Sequence, residues 1–144
     1  MKTLIAVLTF MVLLVGCQSN PITYQKVELD DAVSQINNSE TISILHGDKK
    51  GVDVTEITLP VDKIEQSDAT INEINPTLTF MVTKDQQVSK IDLYQQDEQC
   101  YLVTFAYETK ESTDKVYVPM EYEEETVYEL DETTYQEIMD EYAK

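Results

Sequence analysis

The pattern of apolar residues predicts an α+β fold: an antiparallel meander of about six or seven strands, with one helix packed on it before the meander and one after. Three observations carry this. Leu29, Ala32, Val33 and Ile36 recur at i, i+3, i+4 and i+7, and so do Tyr135, Ile138, Met139 and Tyr142, which places each set on one side of a helix. Between them lie runs in which apolar and polar residues alternate, the period of a strand with one buried face. One run, Cys100 to Tyr107, is apolar on both alternations and reads as a central strand covered on both sides.

Taken in order, the first helix covers about 29–37, with Asp30 or Asp31 capping it or complementing its dipole and Asn37-Asn38 stopping it. Thr41 to His46 alternates, Gly47-Asp48-Lys49-Lys50-Gly51 turns, and Val52 to Leu59 returns as the second strand of a hairpin ended by Pro60. Residues 61–76 read as a connection of low regularity. Leu78, Phe80 and Val82 then alternate with Thr77, Thr79, Met81 and Thr83, and Lys84 to Gln87 connects to a strand whose Ile91 and Leu93 face the core. Gln95 to Glu98 turns into the central strand. Lys110 to Asp114 is a loop, Val116, Val118 and Met120 mark another strand, and Thr126 to Leu130 a last one. Asp131 is the N-cap of the final helix, and Thr134-Tyr135-Gln136-Glu137 also fits a capping box. No internal repeat interrupts this order.

The first residues follow a different logic. Leu4 to Val15 is a run of twelve residues with one hydroxyl and no charge, preceded by Lys2 and closed by Gly16-Cys17. As a helix it reaches about 18 Å, short of the ~30 Å hydrocarbon core of a bilayer, so it reads as an export signal and not as a spanning segment. Its last four residues, Leu14-Val15-Gly16-Cys17, resemble the lipobox of bacterial prolipoproteins. That resemblance implies a diacylglycerol on the Cys17 sulfur, cleavage between Gly16 and Cys17 by the lipoprotein signal peptidase, and a chain held outside the cytoplasm on the cell membrane or the outer membrane. Two or three acyl chains make a stable anchor where one is marginal. The expected organisation is a signal peptide over 1–16, a lipidated tether over 17–23 and a single α+β domain over 24–144. The mature domain resembles no family.

Composition narrows the partners. Cleavage after Gly16 leaves 128 of 144 residues, enough for one domain with a real core. These keep all 28 acidic residues against nine lysines, and arginine is absent from the chain. A surface so acidic argues against nucleic acid, whose phosphates need a basic face, and accounts for a protein that stays soluble, monomeric and off anionic headgroups. The acid concentrates late: residues 97–144 hold fifteen carboxylates against Lys110, Lys115 and Lys144. With Cys17 lipidated, Cys100 has no partner for a disulfide, and its apolar neighbours make it a small buried hydrophobe.

No residue set points to an enzyme, a metal or a cofactor. His46 is the only histidine, in a hairpin turn, with neither a second imidazole nor a thiol pair to complete a zinc site. No G-x-S-x-G, C-x-x-C or glycine-rich phosphate loop is present. Glu121-Tyr122-Glu123-Glu124-Glu125 invites a calcium reading, but the glycine of a calcium loop is missing, and the run reads as a solvated loop. The nine tyrosines stand out because outward-facing strand tyrosines suit protein contacts. The candidate interaction surface is Tyr117, Tyr122, Glu123, Glu124, Glu125 and Tyr128. The expected function is that of a lipid-anchored, non-enzymatic interaction or accessory module meeting a protein partner at the membrane. A small-ligand or cation-binding lipoprotein is the alternative.

Overall fold

Antiparallel pairing organises the chain, and every strand pair has this sense. The computed structural model describes residues 22–109 and 125–144. Its strands are β1 (Ile22–Gln25), β2 (Ser43–His46), β3 (Lys49–Lys50), β4 (Glu65–Gln66), β5 (Leu78–Lys84), β6 (Gln87–Gln96), β7 (Gln99–Thr109) and β8 (Thr126–Leu130), with helices α1 (Leu29–Asn37) and α2 (Glu132–Tyr142). Eight strands form one sheet in the order β3-β2-β5-β6-β7-β8-β4, and β1 pairs with β7 beyond the end of β8. The α+β class with a helix at each end is as the sequence predicts.

The centre is the consecutive run β5 to β8. Two-residue turns join β5 to β6 at Asp85-Gln86 and β6 to β7 at Asp97-Glu98. Asp85, Asp97 and Glu98 all take positive φ, the backbone twist that tight hairpins require and that aspartate tolerates better than most residues. β7 is buried on both alternations, as expected of the central strand.

Both helices lie on one face of the sheet. α1 presents Leu29, Ala32 and Ile36 to it, and α2 presents Tyr135 and Ile138. They close a core with Ile44, Leu78, Phe80, Ile91, Leu93 and Leu102, each at most 1% exposed. Each fully buried aliphatic or aromatic side chain contributes on the order of 1.5–3 kcal/mol. Asp131 caps α2, its Oδ1 accepting from the Thr134 N–H at 2.7 Å. Glu28 occupies the N-cap position of α1 without a side-chain cap, while Asp30 and Asp31 lie in the first turn, where their charge suits the helix dipole.

The predicted return strand Val52–Leu59 is a correction. Pairing after the turn covers only Lys49–Lys50, followed by an isolated bridge between Ile42 and Val54. Between these two contacts the outer leg carries three residues, Gly51 to Asp53, against Ser43 and Ile44, a bulge of one residue. Beyond it, side chains replace a neighbouring strand as partners of the backbone. Asn37 Nδ2 donates to the Ile57 carbonyl at 2.9 Å and its Oδ1 accepts the Ile57 N–H at 2.8 Å, while the Tyr142 hydroxyl accepts the Thr58 N–H at 2.8 Å. Ile57 and Leu59 still point into the core. Their alternation is real, but a pattern of burial does not report what the backbone bonds to. The connection 61–76 is irregular as expected, apart from a 3-10 turn at Val61–Lys63 and the two residues of β4. The expected loop at Lys110–Asp114 and strand at Val116–Met120 lie outside the described residues. Among the described residues no helix is long and apolar enough to cross a membrane.

Candidate functional site

The face of the sheet opposite the helices carries the one buried charged group of the described residues whose members meet in space. Val88, Tyr94, Val103, Phe105, Tyr107 and Val127 form a second apolar cluster there, with Ala69, Ile71, Met81 and Tyr101 packed against it. Lys90 and Asp92 of β6 are set into it. Two apart on a strand, they point the same way. Lys90 is 7% exposed and Asp92 is completely buried.

Both charged groups have defined neighbours. The Thr79 hydroxyl, directly opposite on β5, donates to Asp92 Oδ1 at 2.6 Å. Lys90 Nζ lies 3.6 Å from Asp92 Oδ2, within ion-pair reach but too far for a hydrogen bond. The same ammonium sits 5.0 Å from the centre of the Phe105 ring, whose face attracts a cation. Burial pushes the Asp92 carboxyl above its ordinary value, and Lys90, Thr79 and Tyr94 oppose that push. Glu125, immediately before β8, is half-buried, with Oε2 enclosed and without a hydrogen-bond partner. Burial raises its carboxyl too, and the Asp92 charge adds to the rise. Chemically this is a lysine paired with a buried carboxyl, with a second carboxyl near enough to feel its charge, and burial disfavours ionisation of both carboxyls.

Open depressions occur elsewhere. One, about 570 Å³, runs between residues 52–58 and the end of α2, with Ile44, Val52, Val54 and Tyr142 as apolar walls and Glu56, Glu141 and Lys144 at its rim. Val52 is 68% exposed there.

The residues expected to function are placed unevenly. Gly16, Cys17, Tyr117, Tyr122, Glu123 and Glu124 lie outside the described residues. Glu125 is not the solvated loop residue anticipated. Tyr128 is a correction: it is 7% exposed, faces α1, and its hydroxyl accepts the Leu29 N–H at 2.8 Å, the first N–H of that helix. Burial raises the Tyr128 hydroxyl further. Tyr94 and Tyr107 are likewise buried, at 1% and 2% exposed. The strand tyrosines therefore fill both faces of the sheet. Cys100 is buried, as expected, and burial with the nearby charges of Glu132 and Asp131 pushes its thiol up. His46 is exposed at the end of β2. Among the described residues no three metal-ligating side chains converge.

Lys90 and Asp92 are not legible in the alternation of β6, because Ile91 and Leu93 define its core face and so assign their neighbours to solvent. A signal was available. β7 is apolar on both alternations, and a doubly covered strand implies cover for its neighbour as well.

The geometry thus defines the chain as an α+β protein built on an eight-stranded antiparallel sheet. Comparison with protein-family models, curated proteins and solved structures finds no match.

Proposed function

We propose that the chain is an exported, lipid-anchored protein of the bacterial cell envelope that acts as a non-enzymatic interaction or accessory module for another protein. The observation that carries this reading is Leu14-Val15-Gly16-Cys17, the lipobox, at the end of an uncharged apolar run and five positions before the first strand residue, Ile22. The placement supports it: a lipobox needs a free thiol ahead of the fold, and Cys17 precedes every described element. The acidic exposed surface, with Asp30, Asp31, Glu132, Glu137, Asp140 and Glu141 on the outer sides of the two helices, supports contact with a protein of opposite charge. The tyrosines no longer support it, since those described on strands serve the core.

Mass spectrometry of the membrane fraction tests the anchor. The expected product begins at Cys17, carries a diacylglycerol thioether, and leaves the membrane fraction when Cys17→Ala is introduced. A mature form with an unmodified thiol, recovered from the medium, overturns the reading. Cross-linking of the anchored chain tests the second half: a partner lost on reversing the helix carboxylates is expected, and retention of every cross-link after reversal counts against an acidic contact surface.

A further inference from the structure

The connection between anchor and fold determines which end of the domain can meet the lipid. Only Gln18 to Pro21 separate Cys17 from Ile22, and the five steps of chain between these α-carbons extend at most about 17 Å. Ile22 is not at an arbitrary place on the domain. It pairs with Thr109 at the C-terminal end of β7, and Glu108 beside it pairs with Gln87, the first residue of β6. Gln87 in turn pairs with Lys84, so the β5–β6 turn lies at this same end of the sheet.

The opposite end is far away. β6 continues for ten residues from Gln87 to Gln96, about 30 Å at 3.3–3.4 Å per residue, and there the Asp97-Glu98 turn, the start of α2 and the β2–β3 turn come together.

We propose that the end of the sheet formed by the β5–β6 turn, the start of β1 and the end of β7 rests on the lipid headgroups, with the strands standing away from the bilayer and the Asp97-Glu98 turn held outermost. This rests on the anchor proposed above and assigns its partner surface: a bilayer against Lys84 to Gln87. Any protein partner then approaches the far end or the flanks.

The chain has no tryptophan, so a single introduced one reports its own position. Gln87 and Gln95 are both exposed, lie on the same strand and, an even number of residues apart, point to the same face. They differ only in height. The full lipidated chain carrying Gln87→Trp or Gln95→Trp is reconstituted in phosphatidylcholine–phosphatidylglycerol vesicles containing lipid with a nitroxide on the headgroup. Quenching at 87 is expected to exceed that at 95 by about threefold or more, given the ~26 Å between the two sites. Equal quenching, or stronger quenching at 95, overturns the orientation. Thr83→Trp and Gln99→Trp, exposed positions at the near and far ends, make the same comparison should either first variant fail to fold. Failure of the chain to float with vesicles speaks against the anchor alone. Coupling the Cys17 thiol to maleimide-bearing lipid then decides the orientation separately, by the same ratio.

Discussion

The two faces of the sheet solve one problem by different means. The face under α1 and α2 is closed by hydrocarbon, with Phe80 edge-on to Tyr142 at 5.0 Å and Ile36, Leu78, Ile91, Leu93 and Leu102 fully enclosed. The other face is just as buried around Lys90 and Asp92, yet it encloses an ion pair, a hydroxyl donor and a second carboxyl. Removing charges from water costs several kcal/mol per ion, and only close partners offset this. The helix face therefore supplies stability, while the opposite face spends part of it on groups whose protonation can change.

Breaking the first face should have the largest effect. Phe80→Ala removes a fully buried ring and is expected to cost about 3–5 kcal/mol, read as a fall in the denaturation midpoint with unchanged slope. A loss under about 1 kcal/mol would mean that the helices do not close this core.

Lys90→Met tests the second face. It leaves the Asp92 carboxyl buried without its cation and should cost about 3 kcal/mol near neutral pH. The loss should shrink in acid, where Asp92 holds its proton, and Lys90→Met combined with Asp92→Leu should recover part of it. A loss independent of pH would reduce Lys90 to packing.

Tyr128→Phe is smaller and separates structure from contact. It strands the buried Leu29 N–H at an expected cost of about 1–3 kcal/mol, with no change in any partner contact made through the exposed carboxylates. Weakened partner contact at full stability would return Tyr128 to the interaction surface.

The smallest effect is the sharpest in sign. Asp92 has its carboxyl raised above 3.8, so between that value and its folded value the native state holds more protons than the unfolded one. Stability from this group is full below 3.8 and is lost as pH rises; Glu125, raised above 4.5, has the same sign. Asp131 is lowered by the Thr134 N–H and hydroxyl, so its contribution is present above 3.8 and disappears as pH falls. In melting temperature measured across this range, Asp92→Asn should remove a downward slope with rising pH, and Asp131→Asn an upward one. Slopes of the same sign would break the comparison.

The helix face was nearly all legible beforehand. Leu29 to Asn37 forms the helix its spacing predicts, Asp131 caps the second helix, and Leu78, Phe80, Val82, Ile91 and Leu93 point inward as their alternation implies. Periodicity works there because one side of each element is apolar and the other is not. It fails where both sides are covered, which is how Lys90 and Asp92 passed for surface residues. It also misdirects at Tyr128, whose ring obeys strand alternation while its hydroxyl serves a helix ninety-nine positions earlier. No local pattern reports such a contact. Nor does it report that Asn37 and Tyr142 hold residues 57–58 where a strand was expected.

The crimp at Gly51 to Asp53 has a further consequence. Under the anchor proposed above, neighbouring molecules would share an orientation and meet sideways, where a long straight outer strand would be presented again and again in the register best suited to zippering neighbours into a ribbon. Here the border on one side is two lysines followed by a kink, and on the other two short strands, β4 of two residues and β1 of four. Crowded together, such molecules can slide past one another without locking.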